Sequence, residues 1–146
     1  MIEIKGDLWA DHGERVVRCI TTNGATRKDG SAIMGRGCAL EASQRCRGLQ
    51  QKLGRHLKVK GNIMAVFMSD YGIVTFPVKR HWAEEADPKL IATSAKHLKS
   101  LAGMFPGHTF LLPRPGCGNG RLDWFDVKPL LKDLPDNVWV ISREGE

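Results

Sequence analysis

The sequence predicts an α/β layered domain, and two observations carry this. Short apolar runs, bounded by Gly, Pro and Asn, alternate along the chain with stretches of helical periodicity. The runs are short and nearly continuous, which suits strands of a sheet covered on both faces. The length of 146 residues fits one domain, residues 1–146, with chain enough for one real core.

The elements follow in chain order. A short first strand covers residues 2–5. Residues 16–21, Val-Val-Arg-Cys-Ile-Thr, read as a mostly buried strand. Ala39, Ala42, Cys46, Leu49 and Leu53 step by three or four residues and so line one helical face. Residues 63–68 and 73–76 read as two strands around a turn at Ser69-Asp70-Tyr71-Gly72. Asp87-Pro88 is a cap followed by a first-turn proline, and Ile91, Ala95, Leu98 and Ala102 continue one face of a second helix. Strands at 109–112 and 138–141 complete the set. A third helix falls between Asp123 and Lys132, where Pro129 requires a late start.

Composition narrows the function classes. Hydrophobic residues are 42% and charged residues 26%, as in a globular protein. No apolar run approaches the ~20 residues of a membrane helix. The first seven residues carry no basic lead before an apolar core, which points away from a secretory signal and toward the cytoplasm. The four cysteines form no Cys-x-x-Cys pair and no zinc spacing, so reduced thiols and no metal are expected. The net charge of +6 favours anionic partners without specifying nucleic acid. Arg45, Arg47, Lys52, Arg55, Lys58 and Lys60 crowd one helix and its exit, as a nucleic-acid face or simply as a solvated one.

Four stretches have the residue types for chemistry. Thr22-Asn23-Gly24 and Met34-Gly35-Arg36-Gly37-Cys38 follow a strand and run into a helix. Gly35 and Gly37 allow close backbone approach, and the helix start offers amides to a phosphate. A plain helix-entry turn has the same look. Leu112-Pro113-Arg114-Pro115-Gly116-Cys117-Gly118-Asn119-Gly120-Arg121-Leu122-Asp123-Trp124 also leaves a strand for a helix. Its alternating glycines are costly to order, and two such loops at the carboxyl ends of strands suggest a diphosphate held between them. Pro77-Val78-Lys79-Arg80-His81-Trp82 ends a strand. Lys79 can be an amine nucleophile where burial or a neighbouring cation such as Arg80 lowers its pKa, or a solvated charge. Trp82 can stack on a sugar or base, or be partial core. Asp7, in Gly6-Asp7-Leu8-Trp9, can accept from an exocyclic amine or form a turn.

In this order the motifs resemble the macro domain family, the ADP-ribose-binding α/β/α module. The resemblance covers essentially the whole chain and implies three layers around a mixed central sheet. The 77–82 and 116–124 stretches look most like the branch of DNA-ADP-ribosyl glycohydrolase antitoxins and terminal ADP-ribose glycohydrolases. The stretches 21–24 and 34–37 are similar to small stand-alone macro proteins of bacteria and phages. The resemblance implies that Asp7 accepts from the adenine amino group, with the Leu8 amide nearby. It implies that Gly35, Arg36, Gly37 and Cys38 on one side, and Gly116, Cys117, Gly118, Asn119 and Gly120 on the other, cradle the diphosphate and distal ribose. Asn23 would orient that ribose, and Lys79 matches the lysine used at its anomeric carbon.

The implied protein is a monomer without a cofactor. It binds ADP-ribose and hydrolyses an ADP-ribose linkage on DNA or protein. The alternatives are a non-catalytic module that binds ADP-ribose or a related NAD metabolite, or an ADP-ribose-1″-phosphate phosphatase. The terminal glycohydrolases place an aspartate where this chain has Asn119-Gly120, and the nearest acid is Asp123. The insert at 25–31 is expected to form a mobile flap over the distal ribose.

Overall fold

The computed structural model describes residues Met1–Glu146. Six strands form one sheet: β1 (Ile2–Lys5), β2 (Val16–Asn23), β3 (Val66–Phe67), β4 (Ile73–Lys79), β5 (Thr109–Pro113) and β6 (Val138–Ser142). The helices are α1 (Gly37–Arg45), α2 (Leu49–Lys60), α3 (Met68–Tyr71), α4 (Pro88–Met104) and α5 (Trp124–Val127). The strand order is β1-β6-β5-β2-β4-β3. Every pairing is parallel except β3 with β4, so the sheet is mixed.

Alternation along the strands builds two cores. Val17, Cys19, Val74, Phe76, Phe110, Leu112, Val138 and Val140 face one side, against Ile91, Ala95 and Leu98 of α4. Ile20, Ile73, Leu111 and Ile141 face the other, against Ala39, Ala42, Leu49 and Leu53 of α1 and α2. Side chains one residue apart thus enter opposite cores, which gives three α/β/α layers.

Most expected elements are present, with three corrections. The face from Ala39 to Leu53 is shared by two helices, because Gly48 takes a left-handed φ of 83° and breaks the run. The strand expected at 63–68 shrinks to Val66–Phe67, and the turn at 69–72 is the helical turn α3, closed by Gly72 at φ 66°. Ala65 spends its amide on the Thr75 hydroxyl instead of a ladder bond. The third helix starts at Trp124 rather than late. Asp123 caps it, and Pro129 sits in the first turn of a 3₁₀ segment, Lys128–Leu131, where its missing N–H costs nothing.

The topology makes a crevice. From β2 the chain moves toward β4, and from β5 it moves toward β6, so these neighbours form the switch point of the sheet. They pair only through Val16–Thr109, Val17–Phe110 and Arg18–Leu111. Beyond that the carboxyl ends of β2 and β5 separate.

Candidate functional site

A cavity of about 660 Å³ opens at this separation, lined from the ends of β1, β2, β4, β5 and β6. That volume lies within the range of small-molecule sites, about 300–1,000 Å³. Its walls include Gly6, Leu8, Asn23, Gly35, Arg36, Gly37, Cys38, Lys79, Gly116, Gly118, Asn119 and Gly120. The structure therefore brings both glycine loops, Asn23 and Lys79 together.

The two loops face each other closely. A Cβ on Gly37, whose φ is +56°, would lie 3.1 Å from Asn119 Nδ2. Gly37 opens α1, and the first helical amides have no carbonyl one turn behind them. Leu40 is the first residue to bond back, to the Arg36 carbonyl at 3.2 Å. In the opposite loop the amides of Cys117, Arg121 and Leu122 are tied to Arg114, Gly118 and Gly116 carbonyls. The amides of Gly118, Asn119 and Gly120 take no protein acceptor. Two sets of unspent N–H donors across a gap suit an anion such as a diphosphate.

Lys79 stands where the loops converge. A bulge between β2 and β4 passes over Val78 and sets Asn23 opposite Lys79. Lys79 Nζ donates to the carbonyls of Trp82 at 3.3 Å and Asn119 at 3.1 Å. Burial holds its pKa below the ordinary lysine value, and the Arg121 and Arg36 guanidiniums add to the effect. Arg80 is not the responsible cation: it pairs with Asp87 at 2.6 Å, at the start of α4.

Several expected residues serve the protein itself. Asn23 donates from Nδ2 to the Ile33 carbonyl at 3.0 Å and accepts the Ala25 amide on Oδ1 at 2.8 Å. It thereby clamps both ends of the insert, keeping one N–H and one lone pair. The insert is a closed hairpin, not a flap. Thr26 pairs with Ala32, Gly30 turns back onto the Arg27 carbonyl, and residues 25–31 do not line the cavity. The hairpin presses so closely on α2 that a Cβ on Gly54 would fall 2.0 Å from the Gly30 carbonyl oxygen.

Asp7 lies exposed at the rim between Gly6 and Leu8, outside the lining. Its Oδ1 accepts the Trp9 amide at 2.9 Å. Cys117 also lies outside the lining and packs toward the α4-side core, where burial pushes its thiol up to about 11. Cys38 Sγ contacts Thr21 Oγ1 at 3.2 Å, and burial raises its pKa, so this residue meets the cavity as backbone rather than as a thiolate. Asp123 accepts the Phe125 amide as the cap of α5 and lines no part of the cavity.

Sequence reasoning missed Arg114. It lines the cavity between two prolines, lies over the Trp124 ring at 5.0 Å, and leaves its Nε buried without a partner. The Pro113-Arg114-Pro115 run at a strand end was the available signal, since it fixes the backbone on either side of one cation.

No family model matches the chain. Among proteins of described function, it is 25% identical over 153 residues to the DNA ADP-ribosyl glycohydrolase of Thermus aquaticus, covering 94% of this chain. The chain spans 39% of that relative's length. The macrodomain of Mycobacterium tuberculosis DarG superposes with a TM-score of 0.73 at 26% identity, covering 96% of this chain and 95% of that one. The chain has the macrodomain fold. A third similar structure is Thermosipho africanus DarTG in complex with ADP-ribose. It has a TM-score of 0.66 at 19% identity, and the match covers 87% of this chain and 37% of that one. The mixed six-stranded sheet with its covering helices matches the α/β fold of these macrodomain structures. None of its helices is long and apolar enough to cross a membrane.

Proposed function

We propose that the 146 residues act as one macrodomain that binds ADP-ribose and hydrolyses the bond joining its distal ribose to DNA or protein. The diphosphate lies between the free amides of loop 35–38 and those of loop 116–120, with the Arg114 guanidinium beside it. Asp7 and Leu8 receive the adenine. Asn23, already fixed by its own loop, offers its remaining N–H and lone pair to the distal ribose. The similarity to a DNA ADP-ribosyl glycohydrolase and to a structure holding ADP-ribose supports this reading.

The observation that carries the catalytic half is the pair of hydrogen bonds that Lys79 Nζ donates to the Trp82 and Asn119 carbonyls. A neutral amine has two N–H bonds and one lone pair. Both N–H bonds are engaged by carbonyls, which leaves the lone pair free to attack the anomeric carbon. In that step the bond from the anomeric carbon to the acceptor breaks, and its electron pair leaves with the acceptor. Water then displaces the lysine: its oxygen becomes the ribose hydroxyl, the carbon–nitrogen electron pair returns to the amine, and the water's second proton goes to the departed acceptor. The diphosphate offsets the positive charge that develops on the ribose. Only the unprotonated amine attacks, so activity rises with pH through the Lys79 pKa. Because that pKa is lowered, the plateau comes at a lower pH than an ordinary lysine would give.

One observation favours a second reading, a reader without turnover. Asn119-Gly120 occupies the stretch where the resembled terminal glycohydrolases have an acid, and Asp123 is spent as a helix cap. Turnover assays with ADP-ribosyl-DNA, ADP-ribosyl-protein and ADP-ribose-1″-phosphate separate the readings. The expected result is release of free ADP-ribose from one of the first two, abolished in Lys79→Ala. Tight ADP-ribose binding with no turnover establishes the reader, and release of phosphate from the third substrate establishes the phosphatase. ADP-ribose at 100 times its Kd is expected to stabilise the fold by about 2.7 kcal/mol. No thermal shift at millimolar ADP-ribose overturns the whole reading.

A further inference from the structure

We propose that a pocket beside the Lys79 end of the cavity is a separate subsite for one nucleotide of a single-stranded nucleic acid. The base lies on Trp82, and the phosphate lies between Arg36 and Arg121. The proposal rests on the reading above, since this subsite would hold the strand that carries the ADP-ribose.

The pocket is about 320 Å³ and shares Arg36, Trp82, Gly118 and Asn119 with the main cavity. It therefore continues outward from the place where the distal ribose and its acceptor would meet. Its wall holds two cations with little to do inside the protein. Arg36 precedes α1 without capping it. Arg121 gives a single long bond, 3.4 Å, to the Ala83 carbonyl. Both side chains line this one pocket.

The Arg121 backbone supports a held position. Its φ is +61°, a left-handed conformation rare for a residue with a Cβ, and its amide bonds the Gly118 carbonyl at 3.1 Å. Leaving an arginine at such a position costs strain that a glycine there would avoid.

Charge alone would suit any polyanion, and the ring decides between them. Trp82 is 46% exposed, and His81 lies beside it at 5.1 Å with 32° between ring planes. Trp82 lines the pocket and offers the exposed part of its indole to a ligand. A base stacks on such a surface whatever its identity, whereas an acidic peptide uses the cations and ignores the rings. Glu84 is the one carboxylate on the wall. It disfavours a highly charged ligand and suits one phosphate with an apolar face.

The test uses an unmodified single-stranded tetranucleotide of mixed sequence, titrated into the ADP-ribose-saturated protein. It is read from the Trp82 indole N–H signal, assigned with Trp82→Phe. The expected result is a saturable shift of that signal. Arg121→Gln, and separately Trp82→Ala followed through the Gly118 amide, each weaken the binding about tenfold. An acidic peptide of equal charge is expected to bind at least tenfold more weakly. The proposal is overturned if the tetranucleotide leaves the Trp82 signal unmoved, if the peptide binds as well, or if Arg121→Gln binds as wild type does. A protein that binds the tetranucleotide but not ADP-ribose keeps this subsite and loses the function proposed above.

Discussion

Loop 35–38 and loop 116–120 meet across one cavity, but their glycines are present for different reasons. In the first loop, a Cβ on Gly35 would meet nothing within 4 Å, and Gly37 alone needs its positive φ. The second loop divides internally. A Cβ on Gly120 would lie 2.5 Å from the Gly116 carbonyl oxygen, and one on Gly116 would lie 2.9 Å from Ala86 and Ile91. Gly118, between them, faces open space. Glycine is thus required at Gly116 and Gly120 by the protein's own packing, and at Gly35 and Gly118 only by whatever enters the cavity. A run of alternating glycines does not reveal this division, which lies in what surrounds each Cα.

Lys79 ties the second loop to β4 through the Asn119 carbonyl, so it can be an anchor of the loop as well as a reactive amine. Lys79→Ala separates these roles and carries the largest expected effect. Hydrolysis should fall by orders of magnitude, while ADP-ribose affinity changes tenfold or less, about 1.4 kcal/mol. Equal losses in rate and affinity would mean that the lysine only holds the loop. Wild-type turnover in the variant would remove it from both roles. The lowered pKa also has a sign for stability. The fold disfavours the protonated amine, so wild type should gain stability over Lys79→Ala as pH rises from the folded pKa toward the ordinary lysine value.

Gly118→Glu tests the open glycine. The side chain has room in the protein and fills only the space assigned to the diphosphate, with like charge. ADP-ribose affinity should drop by about 100-fold or more, about 2.7 kcal/mol, with the melting temperature within a few degrees of wild type. A variant that unfolds would place Gly118 with its neighbours. A folded variant that binds normally would move the phosphate site elsewhere.

Gly120→Ala is the opposite case. Its methyl group meets backbone on one side and the Ala86 side chain, at 2.8 Å, on another, so the loop or α4 must shift. A loss of about 1–3 kcal/mol in denaturant unfolding is expected. Calorimetry should show affinity falling only as far as the loop moves. Unchanged stability would show that this turn is looser than its contacts imply.

The fold was legible because its strands enter two cores by simple alternation and its α4 carries both a capping aspartate and a first-turn proline. What escaped were events that depend on distant partners. The break at Gly48 interrupts a periodicity that itself continues across it. The hairpin at 25–31 is held by Asn23 and by close approach to Gly54, neither of which its own sequence announces. At the site, the loops and Lys79 could be picked out by residue type and position after strands. The separation of β2 from β5 that forms the cavity comes from strand order, and the pairing of Asn23 with Lys79 comes from a bulge. Arg114 was passed over because a lone arginine between prolines has no periodic signature.

The smallest expected effect lies at the far end of the cavity, on Asp7. Its Oδ1 already accepts the Trp9 amide, so an alanine removes two things at once, the turn contact and any acceptor for the adenine amino group. Asparagine removes only one. Its carboxamide oxygen can keep the Trp9 bond, while the NH₂ replaces the second acceptor oxygen with a donor. If Asp7 reads adenine, Asp7→Asn and Asp7→Ala should both weaken ADP-ribose by about fivefold, roughly 1 kcal/mol for one hydrogen bond, and leave ribose-5-phosphate unaffected. If Asp7 only shapes the turn, Asp7→Asn should bind as wild type does, and Asp7→Ala should lose affinity along with stability. Calorimetric titration of both ligands against both variants distinguishes these patterns. A loss shared equally by ADP-ribose and ribose-5-phosphate would assign Asp7 to the turn and leave the adenine to the Leu8 amide and the apolar wall formed with Ile141.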